Sequence, residues 1–273
     1  MKRCLATLLV FAVATAVVRA DVTLVQKTTV EGGMAAAAAG SMPSPTMTVR
    51  VKGMRSRTEL DAGPMSVVTI VDLNTRQVIV LRPDQKTATI STPAAAATTS
   101  TTTAVPAGAI DASIKPTGKS QVIDGIKCDE YTFATSMDMS AMTGPQMPPE
   151  AAAMMQGMKM VMNGSMWVAK EVPGAKEYIA FQKASAASDM IAAASGAAGV
   201  NIPGMEKVMK AMGSLDGMSY LTEMNMTVEG TGQMADMMRQ MGAMKITTRT
   251  TSVKTDAVSD DLFKVPEGYT VTK

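Results

Sequence analysis

The chain has 273 residues, with 28 methionines, no histidine and a formal net charge of +2. Without histidine, the sequence excludes Ser–His and Cys–His catalytic pairs and any zinc site that uses imidazole. Its 26 basic residues form no cluster of the kind that binds nucleic acid. We therefore expect a protein that is not an enzyme, holds no cofactor and has no nucleic-acid partner.

Residues 1–20 have the pattern of a secretory signal peptide. Lys2 and Arg3 precede an apolar run over 5–18, and cleavage is expected before Asp21. The protein would then be periplasmic or secreted. No later stretch reaches about 18 uninterrupted apolar residues, which predicts no stable membrane anchor. Cleavage changes the formal net charge to about −1 and leaves Cys128 as the single cysteine, expected to be a buried apolar side chain.

Residues 21–273 are expected to form one domain in which short strands dominate. The segments are rich in Val, Ile and Thr, and turn-forming residues between them favour an antiparallel meander. Within 46–52, Met47, Val49 and Val51 alternate with polar residues, which indicates a sheet with one solvent-exposed face. The predicted strands are 22–30, 46–52, 54–60, 65–72, 77–82, 87–91, 119–122, 126–133, 165–170, 218–229 and 245–258.

Two kinds of insertion interrupt these strands. The low-complexity segment 92–109 is dominated by Ala and Thr, and it is predicted to be a surface insertion, like the shorter loop 34–45. The segments 137–164 and 204–244 hold most of the methionines and are predicted to be Met-rich helical insertions. One further helix, over 176–194, is expected to pack against the sheet in the ordinary way.

Methionine recurs at helical spacing in three short segments, 151–162, 205–212 and 234–244. Each segment has one apolar face made mainly of methionine, and these faces are predicted to cover an apolar concavity of the sheet. Trp167, near a strand start, is expected in the core or at the ligand. The predicted ligand-binding residues are Met154, Met155, Met158, Met162, Met209, Met212, Met237, Met238, Met241 and Trp167.

The methionine faces allow three interpretations. Methionine adapts to irregular apolar partners, so the faces either fill the protein's own core or bind acyl chains of variable shape. Thioethers also ligate soft metals, and pairs such as Met158/Met160 and Met224/Met226 could converge on Cu(I) or Ag(I). Helical periodicity explains many of these spacings without a metal, and no histidine strengthens such a site.

Five segments occur together in a characteristic order: 52–59 (KGMRSRTE), 78–86 (VIVLRPDQK), 124–131 (DGIKCDEY), 166–170 (MWVAK) and 262–269 (LFKVPEGY). This order resembles an exported bacterial family, the domain of unknown function 4412, which is similar to the periplasmic lipoprotein carriers LolA and LolB. The resemblance implies an α+β, mainly β fold. In that fold a curved antiparallel sheet forms an open half-barrel, covered by short helices over an apolar cavity.

These observations predict an exported, non-catalytic protein that binds a lipid, an acyl chain or a lipoprotein in an apolar cavity. Since aromatic residues make up 3% of the chain, methionine, valine and isoleucine would line that cavity. Arg55 and Arg57 match no latch arginine of the carriers and are expected on a solvated face. A Cu(I)/Ag(I)-binding protein and a passive envelope scaffold are the alternatives.

Overall fold

The structure is a computed structural model that describes residues 21–32, 44–63, 65–92, 110–139, 150, 153, 155–188, 190, 211–231, 233–240 and 242–272. The fold is mainly β, with one large, curved, unclosed antiparallel sheet and few short helices, which confirms the predicted fold class. The twelve strands of the sheet are β1 (Val22–Glu31), β2 (Thr46–Lys52), β3 (Arg55–Ala62), β4 (Met65–Asp72), β5 (Gln77–Arg82), β6 (Thr87–Ser91), β7 (Ile110–Ile123), β8 (Ile126–Asp138), β9 (Lys159–Ala169), β10 (Met218–Glu229), β11 (Met244–Lys254) and β12 (Thr270–Thr272).

The sheet consists of two meanders, and the first strand of one pairs with the last strand of the other. Strands β1 to β6 follow one another in sequence order, as do β7 to β11, and the pairing of β1 with β11 joins the two sets. All of these pairs are antiparallel, whereas β12 adds to β6 in parallel. The chain thereby brings residues near both ends of the described region into the middle of one sheet.

Most predicted strands are confirmed, several to the residue. Strands β2, β4, β5, β6 and β10 have the predicted bounds, and β1 and β3 differ from prediction by one or two residues at their ends. Strands β7, β8 and β9 are longer than predicted, while β11 ends earlier, at Lys254. The predicted segments 1–20 and 34–43, and all but the first residue of 92–109, lie outside the described residues.

The predicted helix over 151–162 is wrong from Lys159 onward, because Lys159–Ala169 forms strand β9. The methionine-rich segment predicted at 137–164 likewise begins within β8, which includes Met137. The helix prediction depended on Met154, Met155, Met158, Val161 and Met162, whereas Met160, Met162, Met166 and Val168 follow the period of two of a strand. Pairing with β8 on one side and β10 on the other selects the strand.

Two α-helices lie at the ends of strands. Helix α1 (Ala175–Ala186) corresponds to the predicted helix 176–194, and the part of that prediction beyond residue 190 is not described. It follows Gly174, whose φ is 77° and where a Cβ would lie 2.7 Å from Val22, so glycine is required at this close approach. Helix α2 (Gln233–Gln240) confirms most of the predicted helix 234–244. The helix ends at Gln240, and Met244, predicted to be helical, is the first residue of β11. Of the predicted helix 205–212, residues 211 and 212 are described, and they are helical.

The C-terminal segment packs across the outer strands of the first meander. Phe263, at the end of a short 3-10 helix (Asp260–Phe263), is buried with Val68, Ile70 and Leu81. Arg57 donates a 2.8 Å hydrogen bond from Nη1 to the carbonyl of Leu262, and its side chain is only 12% exposed. The expected solvated face for this arginine is therefore wrong, because the sequence gives no sign that the C-terminal segment lies on β3.

Arg55 contacts the same segment. It forms an ion pair of 2.5 Å with Asp260, and its guanidinium lies 4.8 Å from the centre of the Phe263 ring. Its side chain is 27% exposed, so it too departs from the expected solvated face. Both arginines of β3 hold the C-terminal segment against the sheet.

Cys128 is fully buried, as the sequence predicts for an apolar cysteine. Burial, followed by the charges of Asp129 and Asp124, raises the pKa of its thiol above the ordinary value. A buried thiol of this kind is unreactive.

In the part of the chain that the structure describes, no helix has both the length and the apolar character needed to cross a bilayer.

Candidate functional site

Six methionines of the second meander lie on one face of the sheet. Directly paired residues of antiparallel strands share a face, and so do residues two apart on one strand. Met226 of β10 is paired with Met162 of β9 on one side and with Met244 of β11 on the other. Met137 of β8 is paired with Met160 of β9. The set, called the methionine face below, is Met137, Met160, Met162, Met224, Met226 and Met244.

Apolar neighbours extend the methionine face across five strands. The row of paired residues next to Met226 runs from Phe133 through Gly164, Met224 and Ile246 to Val30. Met137 is buried, at 6% exposure, whereas the other five methionines are half-buried. The face is thus an apolar surface that a ligand could still reach.

Gly164 lies at the centre of this surface. A Cβ on Gly164 would lie 1.9 Å from the carbonyl oxygen of Glu223 on β10, a distance that no side chain tolerates. Glycine therefore permits the close approach of β9 and β10 at this point.

A belt of uncharged polar residues borders the methionine face. Gln26 donates from Nε2 to Oγ1 of Thr250 at 3.2 Å, and Thr250 donates to the carbonyl of Ser219 at 3.0 Å. The hydroxyls of Thr28 and Thr248 are 3.0 Å apart, and those of Ser219 and Thr222 are 2.9 Å apart. The set, called the polar belt below, is Gln26, Thr28, Ser219, Thr222, Thr248 and Thr250.

Beyond the polar belt, the same face becomes a closed apolar core. Side chains alternate along β1, so Val22, Leu24, Gln26, Thr28 and Val30 point to one side of the sheet. Val22 and Leu24 are fully buried in a cluster that includes Phe181 of α1. From one end of β1 to the other, this face thus changes from a core covered by α1, through the polar belt, to the methionine face.

The opposite face of the same strands carries charge. Lys245 forms an ion pair with Glu223 at 3.0 Å, and Arg249 forms one with Asp124 at 2.6 Å. Hydrogen bonds and charge from these carboxylates raise the pKa of Lys245 and of Arg249. No residue of the methionine face or of the polar belt is charged, so the sheet here has one uncharged face and one solvated, charged face.

The predicted ligand-binding residues lie in different places. Met162 is on the methionine face, and Met158 is buried just before β9 begins. Met155 and Met238 are half-buried, whereas Met212 and Met237 are exposed. Met154, Met209 and Met241 lie outside the residues whose side chains are described.

Trp167 and Met162 do not belong to one site. The odd spacing between them on β9 places their side chains on opposite faces of the strand. Trp167 packs instead with a cluster that contains Cys128, Ala169 and Tyr220. It is half-buried there, at the edge of that cluster.

Five methionines of the methionine face were not among the predicted site residues, although a signal for some of them was present. Met224 and Met226 alternate within the predicted strand 218–229, and Met160 and Met162 alternate in the same way. Such a period of two places methionines on one face of a strand. The pairing of strands from different parts of the chain, which joins the methionines, has no signature in the sequence.

The described residues also form a cleft that is separate from the methionine face. This cleft has a volume of about 540 Å³ and lies beside the end of α1, where Met54, Leu73, Arg76 and Met190 are among the lining residues.

The described part of the chain contains no group of three or more His, Cys, Asp or Glu side chains that could hold a metal ion. Comparisons of the chain with protein-family models and with curated proteins give no match.

Proposed function

We propose that this protein is an exported, non-catalytic binding protein whose methionine face takes the acyl chain of a lipid or lipoprotein. The observation that carries the proposal is the assembly of six methionines from four strands on one uncharged, half-buried face. Methionine has three rotatable bonds and a polarizable sulfur, so it packs against chains of variable shape. A surface of this composition favours apolar burial without a unique ligand geometry.

The polar belt suits the polar end of such a ligand. Its hydroxyl and amide groups donate and accept hydrogen bonds, which match an ester, an amide or a glycerol group better than a bare charge. Thr28 and Thr248 stand between the buried Gln26–Thr250 pair and the apolar residues Val30 and Ile246. We therefore place the polar end of the ligand at these threonines and its chain along the methionines.

Burial of the acyl chain supplies the driving force for binding. Each buried methylene contributes about 0.8 kcal/mol, so a chain of about ten methylenes contributes roughly 8 kcal/mol before association costs are subtracted. The curved, unclosed antiparallel sheet is also the architecture that the resemblance to lipoprotein carriers implies. This agreement supports the proposal, although a fold by itself specifies no activity.

The test is native mass spectrometry of the protein purified from the cell envelope, together with titration by a polarity-sensitive fluorescent fatty acid. Probe emission is the appropriate readout, because Trp167 lies on the other face of β9 from Met162. We expect co-purified lipid and saturable binding of the probe. Empty protein that gives no response to the probe would contradict the proposal, and a stable protein partner in its place would favour the passive scaffold.

A further inference from the structure

We propose that the methionine face also contains a binding site for a soft monovalent cation, Cu(I) or Ag(I), formed by the thioethers of Met162, Met226 and Met244. This site does not depend on acyl binding for its support, although its three methionines belong to the face proposed to take the acyl chain. It is supported by the pairing of the strands, which places three methionines in one row on adjacent strands.

The row has the spacing that a small cation requires. Adjacent strands lie about 4.8 Å apart, and directly paired side chains have Cβ atoms about 4.5–5.5 Å apart. Met226 occupies the middle position, paired with Met162 on one side and with Met244 on the other. Because each sulfur follows Cβ by two rotatable bonds, the outer two thioethers can turn toward the middle one without movement of the backbone.

The donors select the class of cation. Thioethers are soft ligands that favour Cu(I), whereas carboxylates, carbonyls and water favour Mg²⁺ and Ca²⁺. On β8, the residue paired with Met162 is Thr135, which is uncharged and buried. Among the described residues, no carboxylate lies in this row or in the adjacent rows of β8 to β11, so a hard divalent ion is disfavoured there by donor type.

The site has some solvent exposure and further donors. Met162, Met226 and Met244 are half-buried, so these side chains keep some contact with solvent. Met224 lies two residues from Met226 on the same face of β10, and Met160 lies two residues from Met162 on β9. These neighbours supply additional thioethers at the edge of the row, and they make transfer of the cation along the face possible.

The test measures Ag(I) binding to the full chain by calorimetry, and Cu(I) binding under anaerobic conditions by competition with a chromogenic Cu(I) chelator. The triple variant Met162→Leu, Met226→Leu, Met244→Leu keeps side-chain volume and apolar character but removes the three sulfurs. The matched control replaces Met54 and Met190 with leucine; both line the cleft beside α1, away from the methionine face. Thermal unfolding checks that both variants are folded.

We expect the triple variant to lose at least about tenfold in affinity for either cation, with the control unchanged. If the triple variant does not fold, Met226→Leu alone, which removes the middle donor, is expected to weaken binding several-fold. Unchanged affinity in the variant that folds, or no saturable binding by the wild-type chain, overturns the site. Leucine preserves the apolar surface, so fatty-acid binding should persist in the variant, and the two proposals fail separately.

Discussion

Gln26 and Thr250, which are 224 residues apart in the chain, form a buried side-chain hydrogen bond of 3.2 Å across β1 and β11. Both side chains also reach the carbonyl of Ser219 on β10, Thr250 at 3.0 Å and Gln26 at 3.4 Å. Three strands are therefore joined by one polar group of residues within an otherwise apolar face. This group separates the core under α1 from the methionine face.

We expect the single variants Gln26→Leu and Thr250→Val each to lower the free energy of unfolding by about 1–3 kcal/mol, because each removes two hydrogen bonds and leaves the other side chain with its bond to the Ser219 carbonyl alone. The double variant removes both partners and should cost less than the sum, with a coupling of at least about 0.5 kcal/mol. Urea unfolding of all four proteins measures this cycle. Strict additivity would show that the pair does not act as a unit.

Gly164→Ala should destabilise the sheet by about 1–3 kcal/mol or more, since the new Cβ would meet the carbonyl of Glu223 and push β9 from β10. Asn163→Ala is the matched control, because Asn163 is the exposed neighbour on the same strand and its change adds no atoms. Thermal and urea unfolding compare the two variants. Equal stability of the two would mean that the strands separate here without cost.

Arg57, the less exposed of the two β3 arginines that contact the C-terminal segment, should contribute more to stability than an exposed ion pair. Arg57→Met removes a charged hydrogen bond to the Leu262 carbonyl and another, of 2.6 Å, to Glu59. We expect a loss of about 1.5–3 kcal/mol and faster proteolysis after residue 255. Lys264→Ala, which breaks an exposed ion pair with Asp261, should cost at most about 1 kcal/mol. A C-terminal segment equally resistant in both variants would contradict this role.

Acid should loosen the same region through Glu59. Burial on its own would raise the pKa of Glu59, but hydrogen bonds and charge from Arg50 and Arg57 outweigh it and bring the pKa below the ordinary value of 4.5. A lowered folded-state pKa means that the ionised carboxylate stabilises the fold above about pH 4.5, and that this contribution is lost as the pH falls through the folded-state value. Urea midpoints measured from neutral pH to about pH 3 should fall less steeply in Glu59→Gln than in the wild type. Parallel curves would rule out Glu59 as a source of the acid sensitivity.

Local alternation and turn residues were sufficient to predict many strands and their antiparallel meander, but not the pairing of β1 with β11 or the position of the C-terminal segment on β3. The period of two in β2, with its clear turns, gave the correct bounds, because each such segment has one face that must be buried. The helix predicted over 151–162 was wrong at its end because Met158, Val161 and Met162 have helical spacing, while Met162 also fits the strand alternation of Met160 and Met166. The contact of Arg57 with Leu262 joins segments that are far apart in the sequence. The row of Met162, Met226 and Met244 depends on the register between three strands. Neither has a local signature in a single sequence.

The most direct test of the proposed function compares Met226→Glu with Asn225→Glu in the binding of the fluorescent fatty acid. Adjacent residues on β10 point to opposite faces, so one change puts a carboxylate in the middle of the methionine face and the other puts it on the charged face near Lys245. We predict that Met226→Glu weakens binding at least about tenfold, roughly 1.4 kcal/mol, while Asn225→Glu binds like the wild type. Equal binding by the two variants would contradict a ligand site on the methionine face.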